Sequence, residues 1–110
     1  MAKGDWLGEF EMCVLLALEQ LEPRDGYGAR VRDEIFNRAG RDVAIGAVYA
    51  TLARLEEKRL VVSEVGPPAP VPGGRGRKCF RLTAAGKREL AASTAMLKRM
   101  MGSSRPARAR

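Results

Sequence analysis

Apolar residues near the start of the chain recur at three- and four-residue spacing: Leu7, Phe10, Val14, Ala17, Leu18 and Leu21. That period places them on one face and predicts a first helix over Leu7–Leu21. Met12, Leu15 and Leu16 widen the apolar surface, so the helix must be covered on more than one side. It is either the centre of a core or a helix whose extra face meets a partner subunit. Pro23 cannot continue the helical ladder, so Glu22–Gly26 reads as a turn, with Asp25 as N-cap of the next helix. The second predicted helix, Tyr27–Arg38, carries Tyr27, Val31, Ile35 and Ala39 in one stripe with Phe36 beside it, while Arg30, Arg32, Asp33 and Arg38 face outward. Gly40 fits the left-handed position that ends a helix.

A short connection, Arg41–Ala44, follows, with Asp42–Val43 as a strand-like pair. The third helix is predicted over Ile45–Lys58, buried along Ile45, Val48, Leu52 and Leu55, with Tyr49, Thr51, Arg54 and Lys58 elsewhere on its surface. Val61–Val65 is rich in β-branched residues and reads as a strand. Gly66–Gly76 is dense in proline and glycine and reads as a loop. Lys78–Leu82 alternates as a returning strand, placing Cys79 opposite to Phe80. Thr83 caps a fourth helix, Ala84–Met101, on which Leu90, Leu97 and Met101 form one line and Met96 and Met100 a neighbouring row. Gly102–Arg110 reads as a disordered basic tail.

The fold class is therefore mainly α with a small β-hairpin, an α+β winged helix-turn-helix followed by a dimerisation helix. Three segments follow: a winged-helix domain over 7–82, a C-terminal dimerisation helix over 83–101 and a basic tail over 102–110. The major groove of a duplex admits one α-helix, whose side chains can read base edges. The preceding helix braces the reader, and a basic hairpin tip beside it reaches phosphates or the minor groove. On the third helix, Gly46, Ala47, Tyr49, Ala50, Thr51 and Arg54 are the candidate DNA-facing residues, the small ones allowing close approach. In the wing, Pro72–Lys78, the candidates are Arg75, Arg77 and Lys78. The competing readings are plainer: Tyr49 packed against the wing, Arg54 and Lys58 on a solvated face, and the glycine–arginine loop as a solubilising segment.

Charge supports the DNA reading. The 110 residues carry 20 Lys plus Arg against 13 Asp plus Glu, a net +7, with a pI near 10.1. Such an excess suits a polyanionic partner. A chain this short buries only about two-thirds of its unfolded surface, so association would help its stability. With no histidine, His-based acid–base chemistry and His metal sites are excluded. Cys13 and Cys79 make neither a CxxC pair nor a zinc pattern. Cys13 falls in an apolar run and Cys79 in a strand; reduced thiols suit the cytoplasm. Glu9, Glu11 and Glu34 show no paired-acid logic. The expectation is a protein that is not an enzyme and has no cofactor or metal. The apolar run Met12–Leu18 is too short to span a bilayer, and no signal-peptide pattern precedes it. Cytoplasmic residence is expected.

The segments LGEFEMCVLLAL (Leu7–Leu18), DGYGARVRDEI (Asp25–Ile35), GAVYATLARLEEKRLV (Gly46–Val61) and GGRGRKCFRLTAAGKREL (Gly73–Leu90) together resemble a short PadR-type regulator. The most specific parts are the Tyr–Gly pair opening the second helix, the Gly-x-x-Tyr-x-x-Leu-x-x-Leu-Glu run of the third, and the RKCFRLTAAG junction. The resemblance implies that the third helix and wing bind double-stranded DNA, and that the first and last helices build a twofold homodimer; two copies would set two reading helices about one DNA turn apart, matching a palindromic operator. It also implies repression relieved by small, often aromatic, effectors. On the fourth helix itself, Leu90, Leu97 and Met101 form a row that little of the domain is left to cover, and a second copy is its simplest cover. Trp6, Phe10, Met96 and Met100 are the candidates for an effector pocket between the first and last helices, and they equally suit a plain dimer core. Two positions depart from the family pattern. Ala44 stands where a capping Ser is common, forgoing about 1 kcal/mol unless Asp42 or water compensates. Arg59 stands where Gly is common, at a strain of about 1 kcal/mol if left-handed. The alternative function is a winged-helix protein-interaction module that binds no DNA.

Overall fold

A computed structural model of the chain describes residues 6–66 and 76–102. Its element order is α1 (Glu9–Gln20), a 3₁₀ turn (Pro23–Asp25), α2 (Gly28–Ala39), α3 (Ile45–Glu57), β1 (Val61–Val65), β2 (Lys78–Leu82) and α4 (Ala84–Met101). Helix α1 is the centre of the core, with Val14 and Leu15 fully enclosed and Met12, Ala17 and Leu18 buried beside them. It packs on α2, α3, β2 and α4, which is why it is apolar on more than one side. Leu16 alone of that run stays substantially exposed.

The helix ends follow local chemistry. Glu11 Oε1 accepts from the Gly8 backbone N–H at 2.9 Å, so α1 begins at Glu9 and Leu7 is buried just ahead of it. Asp25 is not the cap of α2: it lies in the 3₁₀ turn that Pro23 starts, and Tyr27 takes the N-cap position. Gly40 closes α2 at φ 65°, the left-handed geometry that a residue without Cβ adopts at little cost. Asp42–Val43 forms no strand, and α3 ends at Glu57 with Lys58 as its cap.

The two departures from the family pattern both take shape. Ala44 is the N-cap of α3, and no side chain caps that helix. Arg59 has φ 63°, donating its N–H to Glu56 O while Leu60 donates to Leu55 O. This is a Schellman ending with Arg59 at the left-handed position and Leu55 and Leu60 meeting in the core.

The strands pair antiparallel, Val61 opposite Leu82, Ser63 opposite Phe80 and Val65 opposite Lys78. Val61, Phe80 and Leu82 point into the core. The outer edge of β2 is also used: the Phe80 N–H donates to Gly26 O at 2.7 Å, tying the hairpin to the turn before α2. Thr83 accepts from the Gly86 N–H and donates to Arg59 O, so the cap of α4 also fastens that helix to the end of α3. The loop between the strands, including Arg75, and the tail after Gly102 lie outside the described residues. Among those described, no helix is long and apolar enough to cross a membrane.

Candidate nucleic-acid interface

Val48, Leu52 and Leu55 turn one side of α3 into the core. The opposite side is open: Gly46, Ala47, Tyr49, Ala50 and Arg54 are all exposed. Four of its exposed positions carry Ala or Gly, counting Ala53, so another molecule can approach the helix backbone closely. The first turn of α3 has no acidic residue, and its start carries the positive end of the helix dipole with unbonded N–H groups. This face is suited to an anionic partner.

Thr51 does not belong to it. The residue is 1% exposed, and its Oγ1 accepts from Arg54 Nη2 at 3.1 Å. Thr51 stands three residues after Val48 and four before Leu55, a spacing that puts it at the margin of the buried stripe. Thr51 is a DNA-facing candidate by sequence, but inside the fold its hydroxyl steadies the Arg54 guanidinium instead.

Tyr49 is 51% exposed, and it lies against the start of α2. A Cβ added to Gly28 would lie 2.5 Å from the Tyr49 Cε1, so the ring rests directly on that glycine. This gives a physical reason for the Tyr27–Gly28 pair: the second position must be bare. The other ring, Tyr27, carries the Arg77 guanidinium 4.3 Å above its centroid. Sequence reasoning singled out the pair and missed this use of Tyr27, because partners fifty positions apart leave no periodic signal.

Lys78 is exposed but committed to Glu56, with Nζ 3.5 Å from Oε1, and it also lies 5.5 Å from the Phe80 ring centroid. Glu56 further accepts from the Ser63 hydroxyl, so it braces the hairpin against α3. Lys58 pairs with the buried Glu11 at 2.8 Å. Burial pushes the Glu11 carboxyl up, but the Lys58 and Gly8 hydrogen bonds and the charges of Lys58 and Arg54 together hold it below the ordinary value. Lys58 is thus a tie between α3 and α1.

Both cysteines are free. Cys79 donates to Arg24 O. Burial, with the nearby Asp25 and Glu64 charges, outweighs Arg77 and raises its thiol pKa, the opposite of an activated nucleophile. Among the described residues no cluster of three His, Cys, Asp or Glu side chains could hold a metal.

Helix α4 divides into two parts. Leu90, expected on an uncovered row, is buried by the chain's own core at 3% exposure, and Ser93 beside it is enclosed. The last turns are bare: Leu97, Met100 and Met101 are 40%, 77% and 74% exposed, and Met96 is intermediate. Trp6 is half exposed, while Phe10 lies under the Arg41 guanidinium at 5.3 Å. A cavity of about 280 Å³ lies between α1 and α2, its lining including apolar Leu16, Ala17 and Ile35, Cys13, and polar Gln20, Glu34 and Arg38. None of Trp6, Phe10, Met96 or Met100 lines it.

The family model described as "Transcriptional regulator PadR-like family" matches residues 14–92. Among solved structures, a PadR family transcription regulator from Clostridium difficile is 26% identical, with a TM-score of 0.71 over 86% of this chain and 92% of that one. A Streptococcus transcriptional regulator is 26% identical, with a TM-score of 0.66 over 84% of each chain. A PadR-like transcription factor from Bacteroides fragilis is 25% identical, with a TM-score of 0.69 over 84% and 82%. No curated protein matches the chain in sequence.

Proposed function

This chain belongs to the PadR-like family of transcriptional regulators, and on that premise we propose that it represses transcription in the cytoplasm as a homodimer bound to a palindromic operator. The observation that carries the reading is the open side of α3. Small residues, Tyr49 and Arg54 line it, its start has no side-chain cap and no acid in its first turn, and Arg77 at the foot of the hairpin lies over the Tyr27 ring at the start of α2. A duplex approaching α3 would place base edges against Ala47, Ala50 and Tyr49, with phosphates at Arg54 and Arg77. Arg75 would extend the same grip from the hairpin loop.

Dimerisation is the role we assign to α4. Its 18 residues span about 27 Å, and the last turns leave Leu97, Met100 and Met101 exposed, uncovered among the described residues. A second copy is the simplest cover, and twofold symmetry is the commonest arrangement. Two reading helices then lie about one DNA turn apart. A small aromatic effector would bind between copies, where Trp6, Phe10, Met96 and Met100 offer polarizable apolar surface.

The test is a gel shift with the region upstream of the protein's own gene, followed by footprinting. Specific retardation is expected, with affinity falling linearly in log–log coordinates as salt rises, because every phosphate contact releases counterion. Arg77→Ala should weaken binding and flatten that slope by nearly one contact per subunit. Binding indifferent to salt, or none at all, would leave the winged-helix protein-interaction reading in place of this one.

A further inference from the structure

The Arg77 guanidinium carbon lies over the Tyr27 ring, 4.3 Å from its centroid, a distance that suits stacking of the guanidinium on the ring. Tyr27 is held on both sides. The Gly26 carbonyl before it accepts the Phe80 N–H, and Gly28 after it carries the Tyr49 ring. Tyr27 is also the N-cap of α2, so its ring stands on a fixed platform where the helix pair, the reading helix and the hairpin converge. Arg77, by contrast, is exposed and follows Gly76 just ahead of β2. Lys78 beside it pairs with Glu56, whereas among the described residues Arg77 has no carboxylate partner. A guanidinium stacked through its face keeps its in-plane N–H donors clear, so it can lie on the ring and still grip an anion.

We propose that Tyr27 is a positioning residue of the DNA interface: its ring holds the Arg77 guanidinium beside the start of α2 and presets its reach to a backbone phosphate. The proposal deepens the DNA-binding reading and rests on it. A flexible arginine that must be ordered on binding contributes less than one already in place. The ring therefore acts on affinity through Arg77 without touching DNA.

The experiment is a double-mutant cycle on the full chain, read by fluorescence anisotropy with a labelled duplex from upstream of its own gene. Tyr27→Phe keeps the ring and should bind as wild type. Tyr27→Leu should weaken binding about two- to fivefold, the equilibrium equivalent of an exposed cation–π contact. In an Arg77→Ala background, Tyr27→Leu should cost nothing further. If Tyr27→Leu fails to fold, Tyr27→Met removes the ring with a more adaptable side chain. The proposal is overturned if loss of the ring leaves affinity unchanged, if the loss persists without Arg77, or if Tyr27→Phe loses as much as Tyr27→Leu. The cycle also separates the two levels of inference. A wild-type chain that ignores the duplex sinks the DNA reading and this proposal with it; a wild type that binds, with no Tyr27–Arg77 coupling, sinks only the latter.

Discussion

Replacing Gly28 by Ala puts a methyl group under the Tyr49 ring, and the consequence can be worked out atom by atom. The new Cβ would stand 2.5 Å from Cε1 and 2.6 Å from Cζ, against an ordinary contact beginning at 3.4 Å. The ring must withdraw by about 1 Å to restore normal separation. It has room to do so, being half exposed, so the backbone need not move. Two energies then compete. Alanine is the better helix former, by about 0.5 kcal/mol at this end position. Lifting the ring off α2 forfeits roughly 40 Å² of apolar contact, about 1 kcal/mol. The net change in stability is small, a loss of about 0.5 kcal/mol, which displaces the melting midpoint by only a few degrees. DNA binding should suffer more, because a ring lifted about 1 Å no longer meets its partner group; losing one such contact is worth about tenfold in affinity. The diagnostic is the Tyr49→Ala background. There Gly28→Ala has no ring to displace, so it should stabilise the protein by about 0.5 kcal/mol and leave binding unchanged. Thermal melts and anisotropy titrations of the four proteins measure both. Equal destabilisation with and without Tyr49 would refute the account of the Tyr27–Gly28 pair given above.

Three further outcomes are expected. Arg59→Gly relieves the left-handed strain at φ 63° and should stabilise the fold by about 1 kcal/mol, checked by urea unfolding; an unchanged midpoint would mean that the added unfolded-state entropy cancels the gain. Glu11→Gln should cost about 1 kcal/mol at neutral pH by weakening the tie to Lys58. The Glu11 carboxyl is depressed in the folded state, so its contribution is complete above the ordinary glutamate range and fades as pH falls through the folded value; wild type and variant melts should converge in acid. Leu97→Arg places a charge on the exposed part of α4 and should give monomers by light scattering, with an intact dimer moving the interface elsewhere.

Element types were readable because each segment combined a period with its own punctuation. Thr83 and Gly40 cap where their chemistry says they should, and the β-branched run Val61–Val65 is a strand. The misreadings are equally physical. Asp25 is a good capping residue, but Pro23 two positions earlier winds the chain into a 3₁₀ turn and delays α2. Thr51 is polar by type and buried by angle. Phe36, read beside the α2 stripe, is more than half exposed, and none of the described residues buries that side of α2. The Glu11–Lys58 and Tyr27–Arg77 contacts join residues distant in sequence, and no local pattern announces them. The open side of α3 was legible because it is the complement of the Val48–Leu52–Leu55 stripe.

The bond from Phe80 to Gly26 has a consequence for self-association. A two-stranded hairpin ordinarily leaves both outer margins available for a foreign strand to add on. Here one margin is occupied at its midpoint by the chain's own turn, and the other, on β1, is five residues long and carries the charged Glu64. Sheet extension between molecules therefore finds little purchase at either margin.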